Sequence, residues 1–210
     1  MRPVSNIARS ANGRPDDSES SNPGSNPGWA ANMDKIYCFF GDSVTQAAYV
    51  KRGWVDLLRE YLEKKDKDNF INVFNLGIGG NTTEDILNRF EEESQKRNPT
   101  SVIFAVGIND IKFEKENQFR KNIKSLIEKS KMYTSDITFI GLVLGSDIPE
   151  ENFSLTKAKR YDQIIKEISN SGDCRFIELF DKLSSRDFMD GLHPNDIGHK
   201  KMFEEIKKYF

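Results

Sequence analysis

The stretch YCFFGDSVTQ, residues 37–46, is an apolar run that stops at Gly41-Asp42-Ser43. Successive large apolar side chains, without polar residues between them, are typical of a strand buried on both faces of a parallel sheet. The small and polar triplet that follows has two interpretations. Either Asp42 or Ser43 caps the next helix, or the turn presents a serine hydroxyl at the end of the strand.

Four more apolar runs follow along the chain, so that the predicted strands are residues 36–41, 70–76, 101–106, 137–144 and 174–179. Helical stripes of apolar residues separate them. These stripes are centred on Leu58, Phe90, Ile123, Ile165 and Met202. Five strands alternating with five helices predict an α/β fold, in which a five-stranded parallel sheet is covered by helices on both faces. The crossovers should be right-handed.

Composition excludes several classes of function. The chain has 210 residues and a formal net charge of -2, without the basic excess of a nucleic-acid-binding protein. It has no run of about 18 apolar residues that could span a membrane and no visible signal peptide, so a cytoplasmic protein is expected. Two cysteines, Cys38 and Cys174, lie in apolar runs and are expected as buried thiols. A structural zinc site is not expected, because no Cys/His cluster occurs.

Residues 1–33 differ from the rest of the chain. They contain SNPGSNPG and almost no large apolar side chains, so they cannot bury enough surface to offset the entropy of ordering. We expect a disordered leader or an extension introduced for expression, with Met33 as a candidate natural start. Residues 34–210 are then a single globular domain.

The loops after the strands are the candidate ligand-binding segments, because ligands of parallel sheets bind beyond the carboxyl ends of the strands. Here these loops are residues 41–46, 77–83, 107–111, 145–149 and 187–195. The second contains three glycines in four residues, Gly77, Gly79 and Gly80. Its backbone N–H groups could bind a phosphate or stabilise an oxyanion, although no Gly-Lys-Ser/Thr motif is present.

The third and fifth loops add polar groups. Asn109 follows the third strand, where its amide could donate to developing negative charge or simply form a turn. In the fifth loop, His193 stands three residues after Asp190, in a turn that also contains Gly191 and Pro194. A carboxylate in this position can hold an imidazole in the tautomer that a general base needs. The alternative is a helix start with an incidental histidine.

Only two histidines occur in the chain. His199 stands beside two lysines on the last helical stripe and is predicted to lie on a solvated face. The other histidine, His193, joins Ser43 and Asp190 at one edge of the predicted sheet. A nucleophile, a base, an orienting carboxylate and oxyanion donors are the set that acyl transfer requires. Ser43 is not in a Gly-x-Ser-x-Gly elbow, so the common α/β-hydrolase arrangement is not indicated.

These segments resemble the four sequence blocks of the SGNH hydrolases, also called GDSL esterases and lipases. The blocks are Gly41-Asp42-Ser43, the Gly80 loop, Gly107-Ile108-Asn109-Asp110 and Asp190-x-x-His193, in the family's order. The resemblance covers residues 34–208. It implies a flavodoxin-like three-layer α/β/α sandwich and a serine esterase that needs no metal or organic cofactor. Val44 stands where the commonest form of the first block has leucine, which leaves the nucleophile intact.

The resemblance also implies roles for individual residues. Ser43 is the expected nucleophile, and Asp190 and His193 complete the catalytic triad. The oxyanion hole is expected to use the Ser43 backbone amide, Gly80 and Asn109. Gly79 is the alternative to Gly80.

The implied substrate is a small-molecule ester or thioester. Short acyl groups such as acetyl are favoured, because the chain has no long insertion to build an acyl tunnel. A shallow pocket could be lined by Ile111, Phe113, Leu144, Ile148 and Leu192. A lysophospholipase or acyl-thioesterase stays open, as do a non-catalytic flavodoxin-like module that binds a nucleotide or phosphate and a pseudo-enzyme. The pattern carries no signal for an oligomeric state.

Overall fold

A computed structural model describes residues 34–113, 115–145 and 153–210. Five parallel strands in these ranges form one sheet, in the order β2-β1-β3-β4-β5. Their bounds are β1 Lys35–Gly41, β2 Ile71–Gly77, β3 Ser101–Ala105, β4 Ile137–Ile140 and β5 Arg175–Ile177. The fold class is therefore confirmed, and the strand order is that of flavodoxin. The expected leader, residues 1–33, lies outside the described residues.

Helices cover both faces of this sheet. They are α1 Ser43–Gln46, α2 Trp54–Lys65, α3 Thr83–Arg97, α4 Asp110–Phe113, α5 Glu116–Ser130, α6 Leu155–Ser171 and α7 Asp196–Ile206, with 3-10 turns at Ser185–Asp187 and Lys207–Tyr209. Helices α2 and α7 pack on one face, and α3, α5 and α6 pack on the other. The predicted three-layer sandwich is thus confirmed.

The apolar residues 37–40 of β1 contribute to the core on both faces of the sheet. Side chains of a strand alternate between the two faces of the sheet. Phe39 packs with Trp54 on the face of α2, with ring centroids 5.4 Å apart. Phe40 points to the opposite face and packs with Phe90 of α3, with centroids 5.0 Å apart. Burial on both faces explains why this strand has no alternating polar residues.

The strand order sets the position of the site. β1 is paired with β2 on one side and β3 on the other. The chain therefore reverses its direction of winding between β1 and β3, which opens a crevice at their carboxyl ends. The loops after β1, β2 and β3 meet at this crevice.

Two strands are clearly shorter than the sequence predicts. The run 174–179 predicts six residues, but β5 covers only Arg175–Ile177, and the difference is larger for β4. The apolar run 137–144 predicts a strand of eight residues, but β4 ends at Ile140. The backbone N–H of Leu142 donates to the Asp162 carboxylate at 2.8 Å instead of continuing the ladder. A side chain twenty residues away thus ends the strand, which no local pattern reveals.

The prediction for His199 is wrong, because its ring is only 1% exposed. Its Nδ1 accepts a hydrogen bond from the Trp54 backbone N–H at 3.3 Å. Trp54 is the first residue of α2, and the N-cap residue of this helix, Gly53, has no side chain that could accept a hydrogen bond. His199 therefore caps α2 from α7. Its helical neighbours on the buried face, Met202 and Ile206, were a usable signal that the adjacent lysines obscured.

Buried His199 should make stability depend on pH. The ordinary pKa of histidine is about 6.5, and burial lowers the pKa of His199 to about 4. Between these values the unfolded chain binds a proton that the folded chain excludes, so stability falls as the pH falls. Between pH 7 and 4.5 the wild type should lose about 2 kcal/mol more unfolding free energy than His199→Gln. Urea unfolding of both proteins at several pH values measures this difference, and parallel curves would contradict it.

Outside the crevice, we considered the thiols, the groups that could bind a metal and the helices that could span a membrane. Cys38 and Cys174 are free and buried, as expected, and burial raises the pKa of Cys38 to about 12. Within the described ranges, no group of three or more His, Cys, Asp or Glu side chains is placed to hold a metal ion. Among these same residues, no helix combines the length and apolar character needed to cross a bilayer.

Candidate active site

The turn after β1 places Ser43 at the edge of the sheet. Gly41 ends the strand where a Cβ would lie 2.1 Å from the Thr45 hydroxyl, so only glycine lets the chain turn this tightly. The Asp42 carboxylate then accepts the Val44 backbone N–H at 2.9 Å and caps α1. Burial raises the pKa of Asp42 to about 7. Both interpretations of the triplet hold together, because Asp42 is the cap and Ser43 is left half-buried at the crevice.

Three side chains form a hydrogen-bonded series across the crevice. Ser43 Oγ lies 2.9 Å from His193 Nε2, and His193 Nδ1 lies 2.7 Å from Asp190 Oδ2. A carboxylate can only accept hydrogen bonds, so Nδ1 carries the proton and Nε2 is free to accept the Ser43 O–H. Residues 150 positions apart are therefore joined in the geometry that a serine nucleophile and its base require.

The loop 188–195 holds His193 in place. Asp190 Oδ1 accepts the backbone N–H groups of Leu192 and His193, at 3.0 and 2.8 Å. Partial burial acts to raise the pKa of Asp190, but the hydrogen bonds from His193 and Leu192 outweigh it and leave this pKa below its usual value. The loop ends at Asn195, whose side chain caps α7. One carboxylate thus fixes both the backbone and the ring of His193.

The glycine loop leaves one backbone donor free. Among the described residues, every backbone N–H from 77 to 83 has an acceptor except that of Gly80. The donors and acceptors are Gly77 to Asn75, Ile78 to Gly41, Gly79 to Gln46, Asn81 to Ile78, Thr82 to Asp85 and Thr83 to Asp110. A phosphate cradle needs several free N–H groups, whereas an oxyanion hole needs one from each contributing segment. The arrangement fits the second use.

Gly79 and Gly80 differ in whether their backbone N–H groups are already hydrogen-bonded. The Gly79 N–H donates to the Gln46 side-chain oxygen at 2.9 Å, so it is occupied. Gly80 has a φ of 81°, in the left-handed region that favours glycine, and open space where a Cβ would stand. Its side-chain-free backbone faces the same cleft as Ser43.

Asn109 lines the same cleft as Ser43 and Gly80. One hydrogen of its side-chain amide donates to the Asn81 carbonyl at 3.1 Å, which fixes the amide and leaves its second hydrogen as a possible donor. The next residue, Asp110, is fully buried and accepts the Thr83 backbone N–H and hydroxyl. The loops after β2 and β3 are therefore bonded to each other, rather than each forming a separate turn.

An open cleft of about 460 Å³ contains these groups. Its lining residues are Ser43, Gln46, Ala48, Tyr49, Gly79, Gly80, Asn109, Lys112, Phe113, Phe153, Leu192 and His193. The predicted pocket is correct for Phe113 and Leu192. It is wrong for Ile111 and Leu144, which are buried in the core, and Ile148 lies outside the described residues.

Sequence reasoning missed Tyr49 and Gln46, which line the cleft, and Arg89, which bonds the glycine loop. Tyr49 is 73% exposed, with its ring edge-on to His193 at 5.0 Å between centroids. Its φ of 68° is uncommon for a bulky residue. Gln46 occupies the Gly79 N–H, and Arg89 of α3 bonds the Asn81 side chain. No local signal separates Arg89 from a solvated helix charge. Gln46 falls in the loop 41–46 that the sheet rule selects, and Tyr49 lies three residues beyond it.

Comparison with known proteins identifies a family and two sequence relatives, one of which aligns with most of this chain. The model of the GDSL-like lipase/acylhydrolase family matches residues 39–201. An acetylxylan esterase from Geobacillus stearothermophilus is 24% identical over 195 residues, which span 77% of this chain and 87% of that protein. An uncharacterised lipoprotein of Bacillus subtilis is 31% identical over 108 residues, 45% of this chain and 42% of its own length.

Solved structures show the same fold. The crystal structure of the acetylxylan esterase Axe2 from G. stearothermophilus matches with a TM-score of 0.73 at 20% identity, over 84% of this chain and 95% of that one. The acetyl xylan esterase AlAXEase matches with a TM-score of 0.70 at 24% identity, over 83% and 99%. Three other structures of Axe2 are described as catalytic mutants, in which a serine, an aspartate or a histidine is replaced by alanine.

Proposed function

The chain belongs to the GDSL-like lipase/acylhydrolase family, and from this premise we propose that it hydrolyses short-chain carboxylic esters, acetyl esters in particular, through an acyl-enzyme on Ser43. The family membership makes it a carboxylic ester hydrolase. The observation that carries the finer proposal is the series from Ser43 through His193 to Asp190, which faces the free Gly80 N–H and the Asn109 amide across one cleft.

In the first half of the reaction, Ser43 Oγ attacks the ester carbonyl carbon while His193 Nε2 takes the hydroxyl proton. The carbonyl oxygen becomes an oxyanion, which the backbone N–H groups of Ser43 and Gly80 and the Asn109 amide stabilise. Asp190 stabilises the imidazolium. Collapse of the intermediate breaks the ester C–O bond, and His193 returns the proton to the leaving alcohol.

In the second half, water replaces the alcohol. His193 takes a proton from the water as its oxygen attacks the acyl carbon, and the same donors bind the second oxyanion. The C–O bond to Ser43 then breaks, the serine oxygen regains its proton from His193, and the carboxylic acid leaves. Every proton is transferred through His193.

The shape of the cleft supports a short acyl group. Three apolar side chains, Phe113, Phe153 and Leu192, lie beside Ser43 in an open cleft. A second cavity, bordered by Asp42 and Val44, measures only about 20 Å³, which is room for a single water molecule. Neither of these two spaces is a deep channel for a long acyl chain.

The similar proteins also support the hydrolysis of acetyl esters. The G. stearothermophilus protein that resembles this chain is an acetylxylan esterase. The aspartate and histidine replaced in the catalytic mutants of Axe2 are three positions apart in that sequence, as Asp190 and His193 are here. The cytoplasmic location and the absence of a cofactor stay predictions.

The test is hydrolysis of p-nitrophenyl esters from acetate to decanoate. We expect kcat/KM to be highest for acetate or butyrate and to fall by about tenfold or more toward decanoate, because longer chains find no pocket. Ser43→Ala, measured in parallel, gives the background of non-catalysed hydrolysis.

Other profiles would refute the short-chain proposal. A maximum at octanoate or decanoate would point to a lysophospholipase, and preference for acetyl thioesters over acetyl esters would point to an acyl-thioesterase. Equal rates for wild type and Ser43→Ala with every ester would refute the assignment of Ser43 as the nucleophile.

A further inference from the structure

Arg89 connects the segments that carry the site. Its Nε donates to Asn81 Oδ1 at 3.0 Å, and its Nη2 donates to the carbonyls of Leu76 at 2.7 Å and Gly41 at 3.5 Å. Gly41 ends β1 just before the nucleophile, and Leu76 lies in β2 just before the glycine loop. One side chain from α3 therefore holds the ends of two strands and the loop between β2 and α3.

The partners of Arg89 are unusual for a half-buried cation. They are neutral oxygens, and no carboxylate lies within ion-pair distance of its guanidinium among the described residues. The guanidinium lies over the Phe40 ring, 5.5 Å from its centroid. Burial lowers the pKa of Arg89. The carboxylates of Glu93 and Asp85 offset part of this effect from beyond ion-pair distance. A desolvated cation without a direct ion pair is unfavourable for stability, so packing alone does not account for an arginine here.

Asn81 links Arg89 to the two proposed oxyanion donors, the Gly80 N–H and the Asn109 amide. Its side-chain oxygen receives Arg89, and its backbone carbonyl receives the Asn109 amide at 3.1 Å. Its own N–H closes a turn onto the Ile78 carbonyl at 3.1 Å, around Gly80. The orientation of the Gly80 N–H and of the Asn109 amide thus depends on where Asn81 is held.

We propose that Arg89 is a positioning residue, which acts through Asn81 to set the Gly80 N–H and the Asn109 amide at the spacing that the oxyanion requires. This role rests on the proposed function of the cleft. Donors fixed in advance stabilise the transition state without reorganisation, so loss of Arg89 should lower kcat more than it changes KM.

The first test compares two arginines of the same helix. Arg97 is the last residue of α3, and its guanidinium also lies over a phenylalanine ring, that of Phe74. Among the described residues, each of the two arginines has one buried nitrogen without a hydrogen-bond partner, Nη1 of Arg89 and Nε of Arg97. With p-nitrophenyl acetate, Arg89→Met should lower kcat by about 10²-fold with little change in KM, as expected for an impaired oxyanion hole. Arg97→Met should keep kcat within about threefold of wild type, because it changes packing and not donor positions.

A double-mutant cycle separates positioning from a general loss of structure. Asn81→Ala removes only the acceptor of Arg89 Nε, and should itself lower kcat. The double variant should be about as slow as Arg89→Met alone, because both changes break one connection. Arg89→Lys keeps the charge but not the three-way geometry, and should recover little of the lost kcat. Circular dichroism and urea unfolding show which variants are folded. If Arg89→Met does not fold, the kcat of Asn81→Ala alone tests the positioning role.

The outcomes are distinct. An active wild type with unchanged kcat in folded Arg89→Met, or in Asn81→Ala, would overturn the positioning role and leave the esterase assignment intact. Deficits that multiply in the double variant would overturn the connection through Asn81. A wild type that hydrolyses no ester would instead refute the proposed function itself.

Discussion

Replacing Ser43 by alanine is expected to lower kcat on p-nitrophenyl acetate by roughly 10⁶-fold, close to the background rate. The Ser43 oxygen is the atom that forms the acyl-enzyme, and among the described residues Ser43 carries the only hydroxyl bonded to His193 Nε2. The fold should be unchanged, because the Ser43 side chain makes a single hydrogen bond to the residues that the structure describes, the one to His193. Initial rates at saturating substrate, corrected for spontaneous hydrolysis, measure the effect.

A second serine provides the control for this prediction. Ser130 is fully buried at the end of α5, and within the described part of the chain its hydroxyl bonds only the Leu126 carbonyl of its own helix. Ser130→Ala should keep kcat within about threefold of wild type, because the change is remote from the cleft. Equal loss in both variants would show that the Ser43 effect is one of folding, and residual activity of Ser43→Ala near the wild-type rate would exclude Ser43 as the nucleophile.

Replacing Asp190 by asparagine should lower kcat by roughly 10⁴-fold. The asparagine amide can donate to His193 Nδ1, which favours the tautomer with its proton on Nε2. That tautomer cannot accept the Ser43 proton. The KM should change little, because Asp190 does not line the cleft. Steady-state kinetics on the acetate ester gives both parameters.

Asp196 is the matched control for this substitution. It stands three residues after His193, as Asp190 stands three before it, and it is exposed in the first turn of α7. Asp196→Asn removes the same charge from the same neighbourhood without touching the imidazole. It should leave kcat within about threefold of wild type. If both variants lose activity equally, the local charge matters and the contact with Nδ1 does not.

Most of the fold could be predicted from the sequence, because it depends on local patterns. Apolar runs gave the strands, and helical stripes gave the helices that cover them. The meeting of Ser43 and His193 followed from one topological rule, that parallel strands end at the same edge. The end of β4 at Ile140 could not be predicted in this way, because the carboxylate of Asp162 that ends it comes from another element.

The details of the oxyanion site depend on side chains that reach across the crevice. Gly79 and Gly80 look equivalent in sequence. They differ because Gln46, a residue of α1, bonds one of them and leaves the other free. In sequence, Arg89 looks like an ordinary surface residue of a helix. Its contacts with Leu76 and Asn81 form only when α3 packs on the sheet. Such contacts are set by tertiary structure and have no periodic signature.

Covalent labelling tests the central claim most directly. A fluorophosphonate reacts with a serine that a neighbouring base activates, and peptide mass spectrometry identifies the labelled residue. Wild-type protein should lose activity in proportion to a single adduct on Ser43, while Asp190→Asn, with its imidazole in the wrong tautomer, should react far more slowly. An unlabelled Ser43 in an active protein, or inactivation that follows an adduct on another residue, would contradict the account.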